Sequence, residues 1–144
     1  PAQVAPGKRP RLTPSPALSL RDGKFHMAFG TPGGDIQCQA MLQVFLNSVE
    51  FGMPMQQAIE APRIGTFNFP NSFAPHTYLA GRLCIENRIT PSTVEALRAL
   101  GHDVQLWDHA VSAAGAVCAL TRDHATGLYH AGADPRREAY AAAW

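Results

Sequence analysis

Cysteine is scarce in this chain: three in 144 residues, Cys38, Cys84 and Cys118, far apart and without a C-x-x-C. That count excludes a fully paired disulfide framework, and the spacing is not that of a metal site. Charge is scarce too, at 16%, and balanced, with Lys+Arg 12 against Asp+Glu 11 and a net charge of +1. Such a balance offers no electrostatic footprint for nucleic acid. No apolar run approaches the length of a bilayer span, so no membrane partner is expected. An initiating Met is also missing: the chain opens PAQVAPGKRP, without the pattern of a signal peptide. A processed or shortened chain is therefore expected, with any targeting signal lost upstream. What is plentiful is apolar surface, 46% of the residues, enough for one domain with a real core.

Residues 1–16 hold five prolines and little periodicity, and predict an extended segment of the same domain. ALSL and KFHMAFG flank Asp22-Gly23, a strong two-residue turn signal, which predicts a hairpin over 17–29. In GDIQCQAMLQVFLNSVEFG the polar residues Gln39, Gln43, Asn47 and Glu50 fall on one stripe. Met41, Leu42, Phe45, Leu46 and Val49 fill the opposite side, predicting a helix of about four turns laid against a sheet. Asp35 falls in its first turn and Gly52 at its C-cap. MPMQQAIEAP reads as a short helix stopped by Pro62. RIGTFNFPNSFAPHTYLAG reads as extended or looping, and RLCIE as a strand. In TPSTVEALRALGH, Thr90 is the expected N-cap, Pro91 the first helical residue and Gly101 the stop. DVQLWD, AGAVCALTRD and part of TGLYHAGADPRR predict further strands.

One segment carries chemical interest. GTPGG, Gly30 to Gly34, stands where the second hairpin strand should meet the long helix. It is not a P-loop, since no Lys-Ser/Thr follows, nor a dinucleotide fingerprint, since G-x-x-G-G is not G-x-G-x-x-G. A sharp turn is one reading. The other is an anion hole, because two bare amides at a helix N-terminus suit negative charge developing on a carbonyl oxygen.

A wider pattern bears on that choice. GKRP, SP, RDGK and GTPGG, then LQVFLNSVEFGMPMQQAIEAPR, VEALRALGH and ADPRR, resemble the small subunit of the γ-glutamyltransferase family over most of the chain, from about Gly7 onward. The resemblance implies an α+β fold, part of the αββα sandwich of N-terminal nucleophile hydrolases. It implies cleavage or transfer of a γ-glutamyl or other acyl amide through an acyl-enzyme on an N-terminal threonine. It assigns the Gly33 and Gly34 amides to the oxyanion, and Thr13 and Pro32 to the substrate. It asks for no metal or organic cofactor. It implies as partners a small amide substrate and the remainder of the same precursor, that is, the large subunit and the N-terminal part of the small one. A periplasmic or extracellular location follows from the resemblance.

Three departures sharpen the expectation. No N-terminal threonine is present, so the chain alone should be inactive. Where glutathione-cleaving members carry a serine pair after KRP, this chain has Leu12 and Thr13, and only Thr13 keeps a hydroxyl. RIGTFNFPNSFAPHTYLAGRL replaces the usual RFHHQW-like stretch with something longer, more like the acylase branch. The alternative is a non-catalytic module of the same fold that binds an anion at the glycine turn. A piece cut from a sandwich is also expected to pair with a second copy of itself when its partner chain is missing.

Other chemistry-bearing residues have plainer readings. His102 suits the dipole at a helix end, and His26, His109, His124 and His130 have no metal partner at i+4. His76 falls in an irregular loop. Cys38 is expected to be a small buried hydrophobe, and Ser15 lacks the G-x-S-x-G elbow. Asp134-Pro135-Arg136-Arg137 is expected to be a salt-bridged turn. Phe67, Phe69, Phe73 and Tyr78 could form a pocket wall or a packed loop.

Overall fold

The computed structural model describes residues 3–9 and 12–142. Of the expected extended segment 1–16, residues 1, 2, 10 and 11 lie outside the described residues, and the rest carries no helix or strand. The hairpin follows as β1, Ala17–Arg21, and β2, Lys24–Gly30. Asp22 and Gly23 join them with φ 52 and φ 74, the left-handed pair that a two-residue hairpin turn needs. β2 then pairs with β6, Cys118–Arg122, and β6 with β7, Tyr129–Gly132, giving an antiparallel sheet of order β1-β2-β6-β7.

The long helix has two parts. A 3-10 turn at Gly34–Ile36 leads into α1, Gln37–Val49, whose C-cap is Glu50. Gly52, expected as the cap, lies two residues further on with φ 64, because Phe51 still donates to the Leu46 carbonyl. α1 and the short α2, Met55–Glu60, lay Ala40, Met41, Val44, Met55, Ala58 and Ile59 on Met27 of β2 and Ala119 of β6. Each large side chain buried there contributes roughly 1.5–3 kcal/mol. Leu42 and Leu46, on the expected apolar face, stay exposed.

The polar stripe of α1 faces another strand. Gln39 exchanges hydrogen bonds with both the amide and the carbonyl of Thr66, and Gln43 does the same with Ile64. The two side-chain amides thereby act as a substitute neighbour for β3, Ile64–Thr66, which begins a second sheet of order β3-β4-β5. In it β4, Arg82–Glu86, runs parallel to β5, Asp103–Trp107, and α3, Pro91–Ala99, makes the crossover. Val94 of α3 packs on Leu83, Ile85 and Val104. Thr90 is the N-cap residue with Pro91 next, but its hydroxyl pairs with Thr93 Oγ1 at 2.8 Å instead of an amide. The strand expected over AGAVCALTRD starts late, since a 3-10 turn at Ser112–Ala114 and a buried loop precede it.

An ionic cross-link ties the two halves together. Arg136 grips Glu86 of β4 through Nε at 2.7 Å and Nη2 at 2.6 Å, and Asp134 through Nη1 at 3.1 Å. Arg63, just before β3, pairs with Asp134 at 2.6 Å and takes its amide to Glu86 at 2.9 Å. All four side chains are essentially inaccessible. The ADPRR turn is thus salt-bridged as expected, but its acid and its first arginine reach inward across the fold.

Candidate functional site

Thr31 anchors the glycine turn. It is buried; its hydroxyl donates to the Pro32 carbonyl at 2.8 Å and accepts from the Ala116 amide at 2.7 Å. Gln37, the first residue of α1, donates from Nε2 to the Thr31 carbonyl at 2.9 Å. These neutral bonds fix the exit of β2 against the helix start and the 115–117 loop.

Within that frame Gly33 has φ 136 and Gly34 φ 61. A Cβ on Gly33 would stand 2.7 Å from Ile36 Cγ2, and one on Gly34 3.0 Å from the Phe73 ring. Left-handed backbone costs an ordinary residue roughly 1–2 kcal/mol before any clash. Two glycines are therefore required by the conformation itself. Among the described residues neither the Gly33 nor the Gly34 amide has an acceptor. Gly33 is exposed and Gly34 half-buried. Two unpartnered donors in a fixed turn at the head of a helix can receive negative charge without reorganising.

The remaining sequence-predicted residues are distributed around this turn. Pro32 is exposed and offers its carbonyl to Thr31. Thr13 and Leu12 are exposed, on the segment that next runs past Gly30, where a Cβ on Gly30 would be 3.8 Å from the Ser15 carbonyl. The chain thus brings Thr13 within two residues of a contact with the glycine segment. Cys38 is exposed, contrary to the buried hydrophobe expected, because it borders an open groove between α1 and the hairpin, with Ser15 4.0 Å distant and Ala17 and Phe29 on the same lining. Phe67 packs edge-on against Trp107, whereas Phe69, Phe73 and Tyr78 are about half exposed.

Ser72 carries no signal in the sequence, and Asp35 only that of a first-turn acid. Asp35 was expected to serve the helix dipole; instead its carboxylate accepts from the Ser72 amide at 2.7 Å and from the Ser72 hydroxyl. This clasp holds the loop between β3 and β4 against the glycine turn. An acid directly after paired glycines was the only local hint.

A cleft of a different kind lies elsewhere. About 510 Å³ in volume, it sits at the opposite end of β2 among Arg21, Lys24, His26, Arg122, His124 and His130. Burial pulls the His26 imidazole below its ordinary pKa, and Arg21 and His124 add to that. Its lining shares no residue with the glycine turn, and among the described residues no three His, Cys, Asp or Glu side chains converge as metal ligands.

The glycine turn gains meaning from comparison with known proteins. The family model for gamma-glutamyltranspeptidase matches residues 1–144. The chain belongs to the gamma-glutamyltranspeptidase family. It is 34% identical over 150 residues to the oxamate amidohydrolase proenzyme of Klebsiella pneumoniae, covering 98% of this chain and 25% of that protein. It is 33% identical over 103 residues to the glutathione hydrolase proenzyme of Escherichia coli, covering 72% of this chain and 16% of that protein. The solved cephalosporin acylase of Bacillus halodurans superposes with a TM-score of 0.79 at 28% identity, over 98% of this chain and 24% of that one. The chain spans a quarter or less of these relatives' lengths. Its α+β architecture is part of the N-terminal nucleophile hydrolase fold that this family shares with the acylases.

Proposed function

We propose that these 144 residues are the C-terminal part of the small-subunit domain of an amide-cleaving precursor. The attacking threonine, freed by self-cleavage, and the large subunit lie in the rest of that precursor, and the 144 residues alone are inactive. In the assembled enzyme the α-amine of the threonine takes its hydroxyl proton while Oγ bonds to the substrate carbonyl carbon. The charge that moves onto the carbonyl oxygen is received by the amides of Gly33 and Gly34. Collapse expels the amine with a proton, and the acyl group passes to water or a second amine.

The observation that carries this reading is the pair of amides, without an acceptor among the described residues, on adjacent left-handed glycines. Such donors are worth about 2.7–4 kcal/mol each in barrier. Thr13 and Pro32 border the acyl part of the substrate. Leu12 cannot donate to a substrate carboxylate, and one charge-assisted bond fewer weakens such a group by about 1.5–3 kcal/mol. The acyl group is therefore not restricted to γ-glutamyl. The relatives' names, which span oxamate, glutathione and cephalosporin, support a family site that accepts varied amides. We place the mature enzyme outside the cytoplasm.

The test is intact mass and N-terminal sequencing of the full-length gene product, incubated until processing stops. Two fragments are expected, the smaller beginning with Thr and containing these 144 residues, together with turnover of acyl anilides. A single unprocessed chain that binds small anions without turning over any amide would replace the enzyme by a non-catalytic anion-binding module.

A further inference from the structure

The segment 67–81 between β3 and β4 is ordered by its own bonds and aimed at the glycine turn. Asn71 donates its amide to the Thr77 carbonyl at 2.9 Å and accepts from the Phe73 amide through Oδ1 at 2.8 Å. The His76 amide donates to the Phe73 carbonyl at 2.7 Å, and Asn68 Oδ1 accepts from the Gly81 amide at 2.6 Å. The whole loop is then fastened by Ser72 to Asp35, the residue that follows Gly34. Two bonds to one carboxylate, across 37 residues of chain, make this a defined docking rather than a loose excursion.

The fastening sets one side chain in place. The Phe73 ring lies against Gly34, with its edge 3.0 Å from where a Cβ would stand, yet the side chain remains 51% exposed. Half of an aromatic surface is thus offered beside Gly34, in the turn whose two amides have no acceptor among the described residues. An apolar ring there does two things. It excludes water, which strengthens the pull of the amides on a developing charge. Its open surface also favours a flat apolar neighbour and disfavours a charged one, whose desolvation it cannot repay. Leu12, exposed on the segment that leads into β1, is apolar as well.

We propose that the loop 67–81 is a fixed wall of the acyl pocket, clasped by Asp35 and Ser72, and that Phe73 selects flat, uncharged acyl groups. This rests on the amidase reading above and deepens it, because it names the substrate class. Phe73 would touch substrate, whereas Asp35 and Ser72 are positioning residues.

The experiment uses the full-length processed enzyme and four p-nitroanilides: acetyl, butyryl, phenylacetyl and γ-glutamyl. The wild type is expected to prefer phenylacetyl. In Phe73→Ala, kcat/KM for phenylacetyl should fall about 10- to 100-fold, the scale of lost apolar contacts in a specificity pocket. The acetyl anilide should change by less than about threefold, since it does not reach the ring. Ser72→Ala should shift the phenylacetyl-to-acetyl ratio in the same direction by a smaller factor. Phe73→Leu keeps most of the packing, so it reports the loss of the flat ring even where Phe73→Ala fails to process. An unchanged ratio in an active enzyme, or a wild-type preference for γ-glutamyl, overturns this inference and leaves the amidase reading standing. A processed wild type inert toward every anilide overturns both.

Discussion

The glycine turn and the buried ionic cross-link are built from opposite materials. The cross-link concentrates four full charges where no solvent reaches them, and every carboxylate oxygen of Glu86 and Asp134 is already taken. The turn at residues 30–34 contains no charge, is held by neutral bonds around Thr31 and Gln37, and leaves the Gly33 and Gly34 amides without an acceptor among the described residues. Strong electrostatics alone do not make a reactive site. Saturated charges hold the two sheets in register. Unsatisfied dipoles in a rigid frame are what can respond to a charge that appears only during reaction. The histidine- and arginine-lined cleft makes the same point from another side, since a well-formed, charge-lined concavity shares no residue with the candidate oxyanion donors.

Four changes would break or sharpen that contrast in the full processed protein. Arg136→Ala leaves Glu86 and Asp134 buried with fewer partners and should cost about 3–5 kcal/mol of stability, read as denaturant midpoint, with activity per folded molecule little altered at low temperature. A loss of activity beyond the fraction unfolded would mean that the cross-link also shapes the site. Gly33→Ala should do the reverse. Strain and the clash with Ile36 displace the donor, and kcat should drop about 10²- to 10³-fold, well beyond what any fall in thermal midpoint explains. Near-normal kcat in that variant would remove the oxyanion role.

Thr31→Val keeps the shape and removes the acceptor for the buried Ala116 amide. It should destabilise by about 1–3 kcal/mol, with a smaller loss of kcat as the turn loosens. The gentlest probe is acid. Burial alone would raise the Glu86 carboxyl; hydrogen bonds from Arg136, the Arg63 amide and Arg88 outweigh it and hold the pKa below the ordinary 4.5. The unfolded chain then binds a proton that the folded one resists. Stability from this group is complete above the unfolded value and is lost as pH falls through the lower folded one. Glu86→Gln should lose stability at neutral pH and show a flatter decline below about pH 4.5. An identical slope would assign acid sensitivity to other carboxylates.

Much of the fold was legible because its signals are local. Asp22-Gly23 forms the predicted hairpin turn, Thr90-Pro91 and Gly101 bracket α3, and the glycine pair falls at the strand-to-helix junction. The fate of the polar stripe on α1 was not legible. Gln39 and Gln43 look solvent-facing by spacing, yet they complete the hydrogen bonds of β3. Nor could spacing place Cys38 at the surface, since either side of a mostly apolar helix can be the buried one. Arg63 and Glu86 carry no motif, and only the ADPRR turn hinted at the cross-link they complete.

By itself the sequence determined conformations set within a few residues: where φ must be positive, where a helix begins and stops, and which family pattern the glycines belong to. Steric restriction acts on neighbouring atoms, so it is readable along the chain. Only the tertiary structure decided partners. Thr31 meets Ala116 across 85 residues, Arg136 meets Glu86 across 50, and Asp35 meets Ser72 across 37. Those bonds exist because two sheets and their helices pack in one arrangement, and no local preference encodes which distant group arrives.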